Sequence, residues 1–359
     1  MVCGAGAVGA SVAYFLTRRG AAPLVVDRGG PAAAASGRAA GFLALDWNAG
    51  NPLDDLARAS FALHRELATS IGAERLGYRD MDALMTAAAD EGDLERYRRL
   101  PNPEWLDGRA VAHEVIGGPG TTAQVTPRLF TTALMEEAVA AGAQSVTGVV
   151  EGLDLKGPGG AVAGVVVDGR THPADVVVLA LGPWTDRAQR WLALPQVFGT
   201  KSASVVLSAE APPQAVFSEF IAATGQRSTI EIYPRSDGTV YVSGHPEHGP
   251  LPDDPAHIAP SEDAVAELHR VAGLHSSRLG RARLAGTSAC YRPLTVDGVP
   301  LIGPVPDAPG AYIATGHASW GILNAPATGR MVAEMILDGA SHSLDAAPFS
   351  PTRLPAGRI

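Results

Sequence analysis

The first 29 residues, MVCGAGAVGASVAYFLTRRGAAPLVVDRG, constrain this chain more than any other stretch. Gly4, Gly6 and Gly9 match the spacing GxGxxG, and a helix pattern follows, with Val8, Val12, Phe15 and Leu16 on one face. Arg18 and Arg19 fall in its last turn, where cations suit the helix dipole, and Gly20 is placed to end it. A short strand, PLVVD, then ends in Asp27. Glycines at this spacing let the backbone of Gly4 to Gly9, Ala7 and Val8 included, approach a pyrophosphate at a helix N-terminus. Asp27 is placed to accept from a ribose diol, and it would repel a 2′-phosphate, which disfavours NADP. The glycine spacing alone is a weak signal, and an ordinary βαβ turn is the alternative. With helix, strand and acid in register, it predicts a bound dinucleotide. Only Met1, Val2 and Cys3 precede the loop, against about five residues for an average strand. Either that strand is clipped or the true start lies upstream.

A second glycine turn lies near the other end. GHASWGILNAPATG, Gly316 to Gly329, has a strand-like lead-in, GAYIAT, and a helix-like sequel, RMVAEMILDG. Between the two turns, RGGPAAAASGRAAGF is a loop of small residues whose amides can close around a ligand, with Ser36, Gly37 and Arg38 at its centre. A helix is expected over NPLDDLARASFALHRELATS, with Asn51 as cap and Pro52 first. His64 within it reads as a surface or packing residue. An arginine-rich helix is expected over roughly 90–100, and another over 126–142. The segments SVTGVVEGLDL, AVAGVVVDG and ADVVVLALGPW read as a β-meander returning into a buried parallel strand. That strand ends at Gly182, Pro183 and Trp184, on the side where ligands sit in open α/β sheets. From about 196 to 290 the segments SASVVLS, AVFSEFI, TIEIY and TVYVSG read as antiparallel strands, with a helix near 261–279.

The expected fold is therefore α/β, with a discontinuous Rossmann-like dinucleotide domain at 1–50, 120–190 and 290–345. Its sheet is mostly parallel and carries the meander. A substrate or cap domain, built on a mainly antiparallel sheet, is expected at 51–119 and 191–289. The net charge of −9 argues against nucleic acid and anionic membranes, and no apolar run is long enough to span a bilayer. Two cysteines, Cys3 and Cys290, make neither a disulfide framework nor a zinc site, so no metal and a cytoplasmic setting are expected. No GxSxG elbow, P-loop lysine or HExxH is present.

Three segments carry a family resemblance: GAGAVGASVAYFLTRRG with VVDRG and AASGRAAGF, then VVVLALGPW, then YRPLTVDGVPLIGP with YIATGHASWGILNAPATGRMVAEMI. Together they resemble the D-amino-acid oxidase superfamily of FAD-dependent amine oxidoreductases, which includes glycine oxidase and sarcosine oxidase. The resemblance runs along the whole chain, loosely in the inserted sheet. It implies that Gly4, Gly6 and Gly9 hold the FAD pyrophosphate and that Asp27 and Arg28 flank the adenosine ribose. Ala35, Ser36, Ala40, Gly41 and Phe42 would lie along the flavin, Val150 would meet the adenine, and Gly316 and His317 to Leu323 (Ala318, Ser319, Trp320, Gly321 and Ile322 between) would run beside the isoalloxazine. Arg292 matches the arginine that takes the substrate carboxylate in glycine oxidase; the alternative is a structural pair with Asp297.

The chain also departs from that pattern. Ser319 stands where glycine oxidase has a second arginine, which suggests a different or larger substrate, met by Trp320 unless that ring merely packs. Cys290 lies where sarcosine oxidase joins flavin covalently, although a small buried residue would serve as well. His245 falls near a substrate-contacting histidine of sarcosine oxidase, and Tyr233 is expected to help shape the pocket. The lysine that promotes reaction with oxygen there has no counterpart in VYVSG, and Lys201 is the remaining candidate. The expected chemistry is hydride transfer from an amine-bearing carbon of an amino acid or secondary amine to flavin N5, with O2 or another acceptor taking the electrons. An NAD-dependent dehydrogenase and a flavin-bearing regulatory or scaffold protein are the rivals.

Overall fold

The computed structural model describes residues 1–92 and 94–357. The first strand, Val2–Cys3, is only two residues long, yet it is the inner strand of a six-stranded sheet. It pairs in parallel with Leu24–Asp27 on one side and Val177–Leu179 on the other. Gln144–Thr147 extends the sheet beyond Leu24–Asp27, and Ala311–Thr315 extends it beyond Val177–Leu179, both in parallel. Leu301–Pro304 closes the edge antiparallel. Within the continuously apolar run at 176–181, Val177, Val178, Leu179 and Ala180 are buried, as expected of a strand covered on both faces.

Two long helices lie side by side against this sheet. Ala7–Thr17 follows the first glycine turn and Gly321–Asp338 the second. Their approach is close: a Cβ at Gly329 would come within 2.5 Å of Ser11. Arg19 forks onto Asp338 at 2.7 and 2.8 Å, tying the two helix ends together. The ends of the chain thus converge on one sheet. The meander Val150–Leu155, Val162–Val167 and Arg170–Pro173 packs beside them.

The second large sheet has seven strands. In spatial order they are Arg283–Leu294, Phe198–Ser208, Thr239–Glu247, Arg227–Pro234, Gln214–Ile221, Asp82–Ala89 and Val111–Gly117. All neighbours are antiparallel except Gln214–Ile221 with Asp82–Ala89. Period-2 alternation divides its faces. Val205, Leu207, Ile230, Ile232, Val240 and Val242 pack with the helix Glu262–His275, which Ser261 caps. The opposite face, with Ser202, Glu231, Tyr241 and Ser243, looks toward the glycine turns. The strands at 82–89 and 111–117, and a small sheet of Phe42–Ala44, Thr122–Gln124 and Arg79–Asp80, are elements the sequence reading did not resolve.

One expected element is absent among the described residues. The described residues of the segment, 90–92 and 94–100, form turns and extended chain rather than a helix, and residue 93 lies outside the described residues. Its side chains serve tertiary contacts instead: Tyr97 and Arg96 both bind Glu219, and Asn102, just beyond, donates to Leu106 and Ala110. The helix expected near 261–279 is broken at Ser276 into Glu262–His275 and Ser277–Arg281. The helix after Asn51 spans Asp54–Ile71, and Asn51 Oδ1 accepts from the Leu53 amide.

Candidate functional site

Two cavities meet at the first glycine turn, and Gly6, Ala35, Ser36, Ala180, Gly182 and Pro183 line both. The first, about 830 Å³, runs outward past Gly4, Asp27 and Arg28 to Val150 and Trp184. The second, about 1020 Å³, runs under the polar face of the antiparallel sheet to Arg292 and the second turn. Both figures include space open to solvent.

The outer cavity fits a dinucleotide. Gly4 has φ +111°, and a Cβ there would stand 2.2 Å from the Ala180 carbonyl. A Cβ at Gly9 would stand 1.9 Å from the Gly4 carbonyl, so the tight turn needs glycine at both places. Gly6 caps the helix Ala7–Thr17 without a side-chain bond, and Ser36 Oγ accepts from the Ala7 amide at 2.8 Å. Asp27 accepts from the Ala5 and Gly29 amides at 2.8 Å each, which fixes its carboxylate at the strand end. Each of its oxygens retains a lone pair for a ribose hydroxyl. Burial pushes its carboxyl up, against those amide bonds. The loop at Gly182 is riveted to the last parallel strand: Thr185 and Thr315 both donate to the Gly182 carbonyl, at 2.7 and 3.2 Å.

The inner cavity brings the two turns face to face. Ala7, Val8 and Ala40 lie on one side, and His317, Ala318, Ser319, Gly321 and Ile322 on the other. The helix Gly321–Asp338 starts there with no side-chain cap, so its dipole favours negative charge in the cavity. Ala318 has φ +49°, a left-handed conformation that folds the turn onto the helix start. His317 is fully buried, bonds Thr328 at 3.0 Å, and is held near pKa 4 by desolvation, hence neutral at pH 7.

Arg292 is the cavity's cation. It donates to Ser319 Oγ at 2.9 Å, which bridges the sheet to the second turn. The alternative pairing with Asp297 does not occur: Asp297 is taken by Arg353, and this pair holds the Asp297 carboxyl near pKa 2 despite its partial burial. Cys290 lines the cavity beside Arg292, with its thiol pushed up by burial.

Other expected site residues stand back from both cavities. His245 lines neither. Gly244, at φ +125°, sits at a bulge in the pairing with Phe198–Ser208, and this breaks the alternation after Ser243. Tyr233 is buried with Phe42, Phe217 and Tyr241, so it touches the cavity only through Glu231, whose Oε2 accepts its hydroxyl at 2.9 Å. Trp320 packs edge-on against Trp47, with 6.3 Å between ring centres. Phe42 belongs to the same aromatic cluster, and Leu323 to the core. Arg38 donates to the carbonyls of Pro255, Ile258 and Ala289 and so ties its loop to the cap. Gly37, Gly41 and Gly316 are close-approach positions, where a Cβ would meet Ala32 O, Val125 O and Thr295 Cγ2 at 2.0, 2.0 and 2.7 Å. Lys201 lines neither cavity and pairs with Glu247 at 3.3 Å.

The sequence reading missed the cavity's roof: Ser202, Glu231, Tyr241 and Ser243. Alternation was the available signal, since TIEIY places Glu231 and Tyr233 on one face of an otherwise apolar strand. It also missed a role for His64. Pro326 lies inside the helix Gly321–Asp338 and has no N–H for the Ile322 carbonyl. His64 Nε2 supplies that hydrogen bond, at 3.0 Å to Ile322 O and 3.1 Å to Leu323 O, while Ser60 takes the Ala327 amide.

Comparison with known proteins agrees with this geometry. A family model described as FAD dependent oxidoreductase matches residues 1–335. A Schizosaccharomyces pombe protein named only as an oxidoreductase is 29% identical, over 96% of this chain and 95% of its own. Glycine oxidase from Geobacillus kaustophilus is 28% identical, over 98% of this chain and 96% of its own. The crystal structure of the Geobacillus kaustophilus enzyme superposes with a TM-score of 0.78 at 26% identity, covering 98% of this chain and 97% of that one.

Proposed function

The chain belongs to the FAD-dependent oxidoreductase family, and from that premise we propose that it oxidises the C–N bond of an amino acid or secondary amine bearing a carboxylate. Bound FAD supplies the hydride acceptor, at flavin N5. The chain supplies position and charge. Gly4, Gly6 and Gly9 would admit the pyrophosphate, and Asp27 would accept from the ribose diol. The uncapped helix start at Gly321 would favour negative charge on the reduced ring system.

Arg292 would receive the substrate carboxylate, and Ser319 would hold the guanidinium in place. A planar fork on a carboxylate is a strong, directional grip. It orients the adjacent C–H, and orientation is the chain's main contribution to the rate. The oxidised product is an imine, which water hydrolyses. One observation carries this reading: Arg292 opens into the cavity between the two glycine turns while its rival partner, Asp297, is bound elsewhere.

The likeness to glycine oxidase supports the substrate class. The exchange of an arginine for Ser319 supports a larger substrate than glycine. The electrons pass to O2 or to a carrier. The inner cavity's lining contains no lysine among the described residues, and this favours a carrier. Two buried, unpaired cysteines support a cytoplasmic setting. Anaerobic mixing of the yellow holoprotein with glycine, sarcosine, proline and D-amino acids tests the proposal through flavin bleaching. Bleaching by one class supports it. An oxidised spectrum with the whole panel and with longer amino acids contradicts it.

A further inference from the structure

Glu231 and Arg292 are the only formally charged side chains lining the inner cavity among the described residues. They form no ion pair with each other. Glu231 has one hydrogen-bonded partner, the Tyr233 hydroxyl on its Oε2. Tyr233 is buried and its phenol is pushed well above the usual range, so it stays a donor and fixes the carboxylate from behind.

The sheet register measures how far apart the two charges stand. Glu231 is opposite Ser243, Ser243 opposite Ser204, and Ser204 opposite Ser288. Arg292 lies further along the same strand as Ser288. Three strand spacings give roughly 14 Å across the sheet, and four residues give about 13 Å along it. The Cα atoms are thus on the order of 19 Å apart. Both side chains rise from the same face of the sheet and form no ion pair, so a gap wider than a direct contact separates their charges. An α-amino group lies only about 3 Å from its own carboxylate, too short to bridge that gap. The gap matches a chain of several methylenes.

We infer that Glu231 is a specificity residue for a second, distal cation, and that the substrate is an amino acid with an ammonium or guanidinium at the end of its side chain. Arg292 holds the carboxylate at one end of the cavity, and Glu231 receives the cation at the other. Tyr241 and Ser243 line the cavity between them. Tyr241 donates to the Arg38 carbonyl, and burial holds its phenol near pKa 12, so it adds no charge. An anionic side chain meets an unpaired carboxylate and is rejected, while a neutral one leaves Glu231 without a partner.

This inference rests on the proposed carboxylate role of Arg292, and binding separates it from turnover. The holoprotein is titrated with 6-aminohexanoate, hexanoate and adipate, and the shift of flavin absorbance is followed. We expect 6-aminohexanoate to bind about tenfold tighter than hexanoate, as for one half-buried charge pair, and adipate more weakly than either. Glu231→Gln keeps the Tyr233 bond and is expected to bring the ratio to about one, weakening 6-aminohexanoate and relieving the penalty on hexanoate. Equal or tighter binding of hexanoate, a preference that survives Glu231→Gln, or no binding of any of the three overturns the inference. Selective 6-aminohexanoate binding without bleaching by any amine leaves Glu231's role standing and removes the oxidation reading. Bleaching by neutral and basic amino acids at equal kcat/KM does the reverse.

Discussion

His64 and Pro326 are 262 residues apart and are predicted to be energetically coupled through one carbonyl. The perturbation is His64→Ala, alone and with Pro326→Ala. His64 is fully buried and its Nε2–H serves the Ile322 and Leu323 carbonyls. Its loss leaves a buried acceptor unsatisfied, at about 1–3 kcal/mol, and opens a cavity costing roughly a further 1–2 kcal/mol. The single variant should therefore lose about 2–5 kcal/mol of unfolding free energy. With alanine at 326, the restored N–H can serve Ile322 O as a regular helix would. In that background His64→Ala should cost at least 1 kcal/mol less, because only the cavity and the lost contact to the Leu323 carbonyl remain. Urea unfolding of all four proteins, at one FAD concentration and with m-values compared, gives the cycle. A coupling within about 0.5 kcal/mol of zero would refute the assignment of His64 as the partner that Pro326 leaves missing. The first turn of this helix faces the inner cavity, so the same variant should also weaken FAD retention.

Two further outcomes follow from the geometry. His64, His275 and His317 are each fully buried and held near pKa 4 by desolvation. Their folded values lie below the unfolded value of about 6.5, so the unfolded chain binds more protons between those limits. Stability is then full above about pH 6.5 and falls on acidification toward pH 4, by up to roughly 3 kcal/mol per histidine. Urea midpoints at pH 7.5 and pH 5 check this, and a flat profile contradicts it. At the first turn, Gly9→Ala puts a Cβ 1.9 Å from the Gly4 carbonyl and should yield protein with little bound flavin, read as flavin per polypeptide after gel filtration.

The parts legible in the sequence are those whose signal is local. Both glycine turns, the acid at Asp27 and the apolar strand Val177–Leu179 depend on spacing within one segment, and each is present in the structure. The cap sheet was legible as strands but not as a surface. Its order interleaves segments from 82 to 294, and only that order shows which alternating face roofs the cavity. Hence Tyr233 was chosen where its neighbour two residues back, Glu231, lines the site. His245 was displaced by a bulge whose only local trace is Gly244. His64 carried no local signal at all, because its partner carbonyls lie 258 and 259 residues away. The arginine-rich segment 90–100 has helical composition, but Glu219 claims Arg96 and Tyr97, and tertiary bonding overrides propensity.

The central claim is that Arg292, set between two glycine turns from opposite ends of the chain, presents a substrate carboxylate to the flavin. Its most direct test is anaerobic stopped-flow reduction of the flavin by one reactive amino acid and by its carboxamide, in wild type and in Arg292→Ala. The account predicts that wild type prefers the acid by about 10–100-fold, that Arg292→Ala abolishes the preference, and that its FAD content is unchanged. An equal preference for the acid in both proteins contradicts it.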